Sequence, residues 1–184
     1  YFNKSYCIII QTENENFIVR DRYGIRPLSY SYKDIDKTYI LSSESCVSNS
    51  NDFNEIEPGT IYTLKDFVLE KKYSNLTSVK NCLFEYIYFM NKESIFNNVK
   101  VKEYRRKIGI QMALNDKDIF KKKDIIVVGV PNTGNDYAIS YSQTIDIPYY
   151  NYITKKKSVS RTFIMPDFEK RTKYANLKYL FNKE

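Results

Sequence analysis

The stretch DIIVVGVPNTG, residues 124–134, decides the fold of the second half of the chain. It begins with an almost continuous run of β-branched residues, which is typical of a strand buried on both faces of a parallel sheet. Residues 131–134 then break the strand, and residues 136–144 favour a short helix before a further strand over residues 148–153. This order of elements is a βαβ unit. Ligands bind such units at the carboxyl ends of the strands, where a turn leading into a helix offers N–H groups to an anion, so residues 131–134 are the best candidate site.

A helix is predicted immediately before this unit. Val101, Arg105, Ile108 and Met112 recur at intervals of three and four within residues 101–114. This spacing predicts an amphipathic helix with these four residues on one face.

The first 70 residues have a different pattern, in which short apolar runs alternate with turns. Residues 6–10 and 17–20 flank the polar segment 11–16, which predicts a β-hairpin. Further strands are predicted over residues 38–41, 60–64 and 67–69. We therefore expect the antiparallel part of an α+β domain here. Residues 70–81 are polar and without periodicity, and we expect the chain to cross between two domains there.

The composition narrows the class of protein. The 184 residues make about one domain or parts of two, and 42% of them are hydrophobic, as in a globular chain. No apolar run approaches the ~18 residues that span a bilayer, so we expect a soluble, cytoplasmic protein. Histidine is absent, which excludes a histidine base, a Ser-His-Asp triad and a histidine-ligated metal. Cys7, Cys46 and Cys82 lie far apart and predict reduced thiols rather than a disulfide or a zinc site.

The formal net charge of +7 leaves a nucleic-acid-binding protein as an alternative. The positive charges are dispersed and belong to no recognition motif. Lys, Asn, Ile and Tyr are abundant together, as expected for AT-rich codon usage, and this accounts for much of the charge. Nucleic acid is therefore not an expected partner.

Several motifs resemble those of the amidophosphoribosyltransferases, also called glutamine phosphoribosylpyrophosphate (PRPP) amidotransferases. RDRYGIRPL at residues 20–28 resembles the glutaminase motif RDPxGIRPL, and CLFEYIYF at residues 82–89 matches the junction pattern CxxEYxYF. Smaller matches follow the same order: SESC at 43–46, EPG at 57–59, Arg105 with Gly109 as RxxxG, and residues 148–166 against PYxxxxxKNRYVGRTFIxP. One of these motifs would be weak support, but together they cover nearly the whole chain in register.

The resemblance implies a mixed α/β and α+β architecture. Residues 1–81 would be the C-terminal part of an N-terminal-nucleophile (Ntn) glutaminase domain with an antiparallel sheet. Residues 82–184 would be the N-terminal half of a type I phosphoribosyltransferase domain with a parallel sheet. The family transfers glutamine-derived ammonia to PRPP, which gives 5-phosphoribosylamine, glutamate and pyrophosphate in the first step of purine synthesis.

The resemblance also assigns site residues. Thr133 and Gly134 occupy the family's pyrophosphate loop, where Asn132 replaces an acidic residue and Gly134 replaces a hydroxyl residue. The remaining expected PRPP contacts are the cations Lys155, Arg161 and Lys178. Ser158, Thr162 and Phe163 belong to the flexible loop that closes over PRPP and walls the ammonia channel. Lys156, Lys157, Ser158 and Ser160 depart from the family pattern of Asn, Arg, Tyr and Gly. Magnesium would arrive with PRPP, and no protein-held metal is expected.

Two parts of the family's machinery are not matched by this sequence. The N-terminal cysteine nucleophile has no counterpart, because residue 1 is Tyr1 and Cys7 lies inside a predicted strand, where we expect a small buried hydrophobe. The acidic-pair PRPP loop is not matched either. Some relatives ligate an iron-sulfur cluster near the position of Cys82, but its other ligands are not matched and we expect no cluster. We therefore expect no glutamine hydrolysis by the 184 residues alone, and expect a second chain or a longer homo-oligomeric enzyme to supply the missing parts.

The sequence is also compatible with one alternative of a different class. The altered loop residues are compatible with a catalytically inactive phosphate- or nucleotide-binding protein derived from the same family. Calorimetry with PRPP and magnesium distinguishes a retained site from none.

Overall fold

The computed structural model describes residues 4–47, 52–75, 78–116, 124–156 and 165–182. Within them the chain divides into two compact units, residues 1–102 and residues 103–184. In this division residues 82–102 group with the first unit, although the family resemblance places the boundary after residue 81. The assignment of the two family domains to residues stays a prediction.

The described residues of the first unit form two antiparallel sheets of three or more strands and one short hairpin. One has the strand order β1-β2-β6-β7, formed by β1 (Cys7–Gln11), β2 (Asn16–Arg20), β6 (Thr60–Lys65) and β7 (Val68–Ser74). The other has the order β4-β3-β5, formed by β3 (Ser29–Lys33), β4 (Thr38–Ser42) and β5 (Asn54–Glu55). The predicted hairpin is confirmed, since Cys7 pairs with Arg20 and Gln11 with Asn16.

The observed strands differ from the expected ones in two respects. Strand β7 continues to Ser74 by pairing along β6, so residues 70–74 of the expected crossing segment 70–81 belong to a strand. Backbone hydrogen bonds to β6 extend this strand, and a hydropathy pattern does not reveal such bonds. Strands β3 and β5 were not predicted at all.

The core of the first unit joins side chains from both sheets. Ile18, Leu28 and Ile56 are fully or almost fully buried, at 0%, 4% and 0% exposure. Half-buried side chains from both sheets surround them, namely Cys7, Tyr30, Leu41, Tyr62, Leu64 and Leu69. By contrast, β1 stands at one edge of its sheet with Ile8, Ile9 and Ile10 all exposed.

The segment that follows Cys82 packs within this unit. It contains a π-helical turn (Glu85–Phe89) and a short hairpin of β8 (Ile95–Phe96) and β9 (Val99–Lys100). The carboxylate of Glu44, just before a 3-10 turn (Ser45–Val47), accepts hydrogen bonds from the Asn91 N–H at 3.1 Å and from the Ser94 hydroxyl. These contacts join the SESC motif to the segment after the junction motif.

Helix α1 (Val101–Asp116) begins directly after β9 and confirms the predicted helix. Its buried residues are Val101, Arg105, Gly109 and Ala113, at a regular interval of four. The predicted face was therefore wrong in its second half, because Met112 is exposed and Ile108 only half-buried. Small residues replace large ones on this face where a neighbouring helix approaches closely.

The second unit holds the βαβ arrangement. Strands β10 (Val127–Val128) and β11 (Tyr149–Tyr150) pair in parallel, and α2 (Thr133–Ile145) connects them. The expectation that residues 124–130 are buried on both faces is wrong, since Ile126 and Val130 are 46% and 57% exposed. Among the described residues β10 has only one pairing strand, and its residues Val127 and Val128 are half-buried.

The unit ends with β12 (Ile153–Lys155), α3 (Phe168–Lys178) and β13 (Tyr179–Phe181). Strands β12 and β13 pair antiparallel, with Lys155 opposite Tyr179. None of the helices in the described ranges combines the length and apolar character needed to cross a bilayer.

Candidate functional site

The candidate site is the turn between β10 and α2. The N–H of Gly134 donates to the carbonyl oxygen of Val130 at 2.9 Å, which folds the turn back on the end of the strand. Asn132, at the N-cap of α2, makes no side-chain capping hydrogen bond. Helix α3 differs, because the Asp167 carboxylate caps it by accepting from the Glu169 N–H at 2.8 Å. No N-cap side chain therefore competes for the first-turn N–H groups of α2.

This geometry suits an anion. The first N–H groups of a helix have no intrahelical acceptor, and the aligned peptide dipoles place partial positive charge at the same end. The parallel pairing of β10 and β11 places the turn at the carboxyl end of a strand, where α/β folds bind ligands. Thr133, the first residue of α2, adds a half-buried hydroxyl group to the turn.

Two glycines of this turn differ in the space around them. A Cβ atom on Gly129 would lie 2.5 Å from Asn135 Oδ1 and 2.8 Å from Asn135 Cα, so the strand end and the helix start are in close contact there. A Cβ atom on Gly134 would meet only Val130 Cβ at 3.5 Å and the Gly129 carbonyl carbon at 3.8 Å, which is ordinary packing. The backbone at residue 134 therefore accommodates a side chain.

A buried charge pair lies at the first turn of α2. Arg105 of α1 and Asp136 of α2 are only 3% and 4% exposed, and their nearest N and O atoms are 3.7 Å apart. Asp136 Oδ2 has no hydrogen-bond partner among the described residues. Burial raises the pKa of the Tyr137 hydroxyl, and Arg105, which hydrogen-bonds that hydroxyl, acts in the opposite direction. Burial and then the Asp136 carboxylate raise the pKa of Tyr149 on β11.

Sequence reasoning missed Asp136 and Tyr149 as members of this cluster. The available signal was Arg105 itself, because a charged residue on the buried face of a helix needs a partner of opposite charge. The nearest acidic residue on the following helix, Asp136, is that partner.

Of the predicted cations, Lys155 ends β12 opposite Tyr179 of β13, and Lys178 is the last residue of α3, directly before Tyr179. The Lys156 N–H donates to the Lys178 carbonyl oxygen at 2.9 Å, and the Lys178 ammonium lies 5.7 Å from the centre of the Tyr179 ring. No hydrogen bond or ion pair between described residues joins these lysines to Thr133 or Gly134. Arg161, Ser158, Thr162 and Phe163 lie outside the described residues.

The buried Arg20 side chain holds the RDRYGIRPL motif from within. The buried Arg20 guanidinium donates to the carbonyl oxygens of Arg26, Gly24 and Ile56, and it pairs with Glu55 at 2.9 Å. Arg26 instead pairs with Glu85 of the junction motif at 2.5 Å. The Cys7 thiol lies near the carbonyl oxygens of Arg26 and Pro27, and burial raises its pKa to about 11. This thiol is therefore not an activated nucleophile.

The donor set for a metal ion is poor in the described part of the chain, where no three His, Cys, Asp or Glu side chains cluster to hold one. The turn offers only the Asn132 amide and the Thr133 hydroxyl. The carboxylate closest in sequence, Asp136, is buried and paired with Arg105. These residues do not fit a magnesium ion held by protein side chains.

No protein-family model matches the chain. It is similar to curated proteins named amidophosphoribosyltransferase from Pyrococcus horikoshii (30% identity over 88% of this chain), Lachancea kluyveri (33% over 90%) and Bacillus subtilis (30% over 95%). The aligned part is 35%, 35% and 36% of those proteins, so the chain spans about a third of their length.

Two solved structures are similar over 92% of the chain, each with a TM-score of 0.75. One is the glutamine PRPP amidotransferase from B. subtilis complexed with ADP and GMP, at 28% identity and 37% of that chain. The other is described as the allosteric regulatory enzyme of purine biosynthesis, at 29% identity and 36% of that chain. The family resemblance inferred from the motifs is confirmed by these relatives.

Proposed function

We propose that the chain is a segment of an amidophosphoribosyltransferase, a pentosyltransferase of purine synthesis with glutamine amidotransferase activity. The complete enzyme would transfer glutamine-derived ammonia to PRPP and release 5-phosphoribosylamine, glutamate and pyrophosphate. The observation that carries this proposal is the extent of the similarity, which covers 88% to 95% of the chain in the three relatives named above. We further propose a cytoplasmic, homo-oligomeric complete enzyme.

Residues 1–81 would belong to the Ntn glutaminase part and residues 82–184 to the type I phosphoribosyltransferase part. Antiparallel sheets before residue 81 and the parallel pair of β10 and β11 after it support this division. The grouping of residues 82–102 with the first unit requires that the junction motif pack on the glutaminase part.

In this proposal the turn between β10 and α2 binds the pyrophosphate group of PRPP. Loss of pyrophosphate from the sugar builds negative charge on the leaving group, and fixed N–H donors stabilise that charge without reorganising. The Thr133 hydroxyl and the first-turn N–H groups of α2 would supply such donors, except the Gly134 N–H, which already donates to the Val130 carbonyl oxygen. Lys155, Lys178 and Arg161 would add positive charge around the phosphates, and Arg161 has the fork geometry for a bidentate contact.

Ser158, Thr162 and Phe163 would belong to a loop that closes over PRPP. Closure makes chemical sense because ammonia has to reach the sugar before water or a proton reaches the ammonia. Magnesium would enter with the phosphate oxygens of PRPP, since the described residues do not fit a protein-held ion.

Isothermal titration of the full chain with pyrophosphate, and separately with PRPP and magnesium, tests the proposal. We expect both ligands to bind and Thr133→Val to weaken pyrophosphate binding several-fold, because it removes one donor without changing the side-chain volume. Thr38→Val is the matched control, since the Thr38 hydroxyl is exposed and donates to the nearby Asp36 carbonyl oxygen. Absence of heat with both ligands at millimolar concentration would overturn the assignment.

A further inference from the structure

The charge pair of Arg105 and Asp136 is unusual because both partners are buried. Their side chains are 3% and 5% exposed, and the closest atoms are 3.7 Å apart rather than at hydrogen-bonding distance. Removing two charges from water costs several kcal/mol per ion, and the attraction between two charges that are not in hydrogen-bonding contact offsets little of this cost. Such a pair is a weak contributor to stability, so its presence between α1 and α2 calls for another explanation.

The position of Asp136 supplies one. Asp136 follows Thr133 by three residues, so it lies one helical turn, about 4.5 Å along the axis, behind the N–H groups of the turn. A carboxylate in the first turn of the helix adds negative potential close to the place where an anion would bind. Its Oδ2 atom has no hydrogen-bond partner among the described residues, so hydrogen bonding does not disperse the charge at that atom.

Arg105 is the cation that opposes this charge. It reaches Asp136 from α1 and hydrogen-bonds the neighbouring Tyr137 hydroxyl. The close contact of the two helices fixes its position, because a Cβ atom on Gly109 would lie 2.4 Å from the Tyr137 carbonyl oxygen. The distance between Arg105 and the start of α2 is therefore set by packing.

We propose that Arg105 is a positioning residue for the turn at residues 131–134: by neutralising Asp136 in the interior, it keeps the turn electrostatically open to an anion. The identity of that anion as a pyrophosphate group rests on the proposed function. Arg105 itself does not touch the ligand and acts only through Asp136.

Five forms of the full chain test this inference: unmodified, Arg105→Met, Asp136→Asn, the double variant and Arg105→Lys. We expect pyrophosphate affinity to fall at least about threefold in Arg105→Met, to rise in Asp136→Asn, and to return to the unmodified value in the double variant. Arg105→Lys, which keeps the charge, is expected to bind like the unmodified chain. A purely structural pair predicts a different pattern, in which both single variants weaken binding.

A second measurement needs no ligand. Amide hydrogen exchange is catalysed by hydroxide, so its rate rises with local positive potential. The exchange rates of the Thr133 and Asn135 amides are expected to fall in Arg105→Met, to rise in Asp136→Asn and to be unchanged in the double variant. Circular dichroism confirms that each variant is folded.

The two measurements separate the two proposals. If the unmodified chain binds no pyrophosphate but the exchange rates follow the expected order, the proposed function fails and the role of Arg105 stands. Equal exchange rates in the folded single variants, or equal loss of binding in both, overturn the role of Arg105.

Discussion

Arg26 and Glu85 form an ion pair at 2.5 Å although 59 residues separate them in the chain. Arg26 lies in the RDRYGIRPL motif and Glu85 in the CLFEYIYF motif, so the pair joins two segments that the sequence singled out independently. The Arg26 guanidinium also lies 5.6 Å from the centre of the Phe89 ring. The packing of residues 82–102 within the first unit rests in part on this contact.

Arg26→Ala should lower the free energy of unfolding by about 2 kcal/mol, because it leaves the Glu85 carboxylate buried without its cation. The loss should be smaller than for a fully buried ion pair, because Arg26 is half-exposed. Adding Glu85→Gln should recover much of this loss, since a neutral amide costs less to bury. Lys71→Ala is the control: its pair with Glu57, at 2.8 Å, is exposed on both sides. Chemical denaturation measures all four proteins, and an equal loss in Arg26→Ala and Lys71→Ala would contradict the importance of burial.

Gly109→Ala should destabilise the second unit. Helix propensity alone predicts a gain of about 1 kcal/mol for this change. The added Cβ atom would, however, lie 2.2 Å from the Ser140 hydroxyl and 2.4 Å from the Tyr137 carbonyl oxygen. We expect a net loss of about 2 kcal/mol in denaturant unfolding.

Combining Gly109→Ala with Ser140→Ala distinguishes the clash with the Ser140 hydroxyl from the clash with the Tyr137 carbonyl oxygen. It removes the hydroxyl but not the backbone carbonyl, so recovery should be partial. A stabilising effect of Gly109→Ala would mean that α1 and α2 are farther apart than described.

Gly134→Ser restores the hydroxyl that the family pattern has in the turn, and it should fold with less than about 1 kcal/mol of change because the site has room for a side chain. Under the proposed function it should also bind pyrophosphate more tightly, since it adds a donor near the anion. Gly129→Ser is the matched control and should be clearly destabilised by its contact with Asn135. Thermal unfolding and calorimetry provide the two readouts, and equal destabilisation of both variants would contradict the difference in space.

The Cys7 thiol should make stability depend on pH in the alkaline range. Burial raises its pKa from 9.0 to about 11, so the fold favours the neutral thiol. The resulting stabilisation is present in full below pH 9.0 and is lost as the pH rises toward 11. Between about pH 8 and about pH 10 the free energy of unfolding should therefore decline less steeply in Cys7→Ala than in the unmodified chain. Parallel slopes would show that the thiol is not protected by burial.

The parts of the fold that could be predicted are those in which buried strands appear as apolar runs and changes of chain direction appear as turn residues. The β-branched run before Pro131 predicted the strand and turn of the βαβ unit, and the short apolar runs around residues 11–16 predicted the hairpin of β1 and β2. In both cases a local pattern and a breaker residue suffice.

The unpredicted parts depend on partners that are distant in the sequence. Strand β3, SYSYK, owes its existence to pairing with β4 and β5, and β7 runs through polar residues because β6 provides hydrogen bonds. Asp136 becomes part of the candidate site only because α1 brings Arg105 to it. Hydropathy periodicity shows which residues are apolar, but it does not show which charged side chains will pair in the folded chain.

The outer strand of the first sheet has a practical consequence. Ile8, Ile9 and Ile10 are 39%, 51% and 49% exposed. Because successive side chains of a strand point to opposite faces, both faces of this outer strand are apolar. In natural proteins lysine or proline often prevents an outer strand from pairing with another chain, and β1 has neither residue between Cys7 and Gln11. Concentrated solutions of the purified chain should for this reason form cross-strand oligomers, and an Ile9→Lys substitution should keep the material monodisperse.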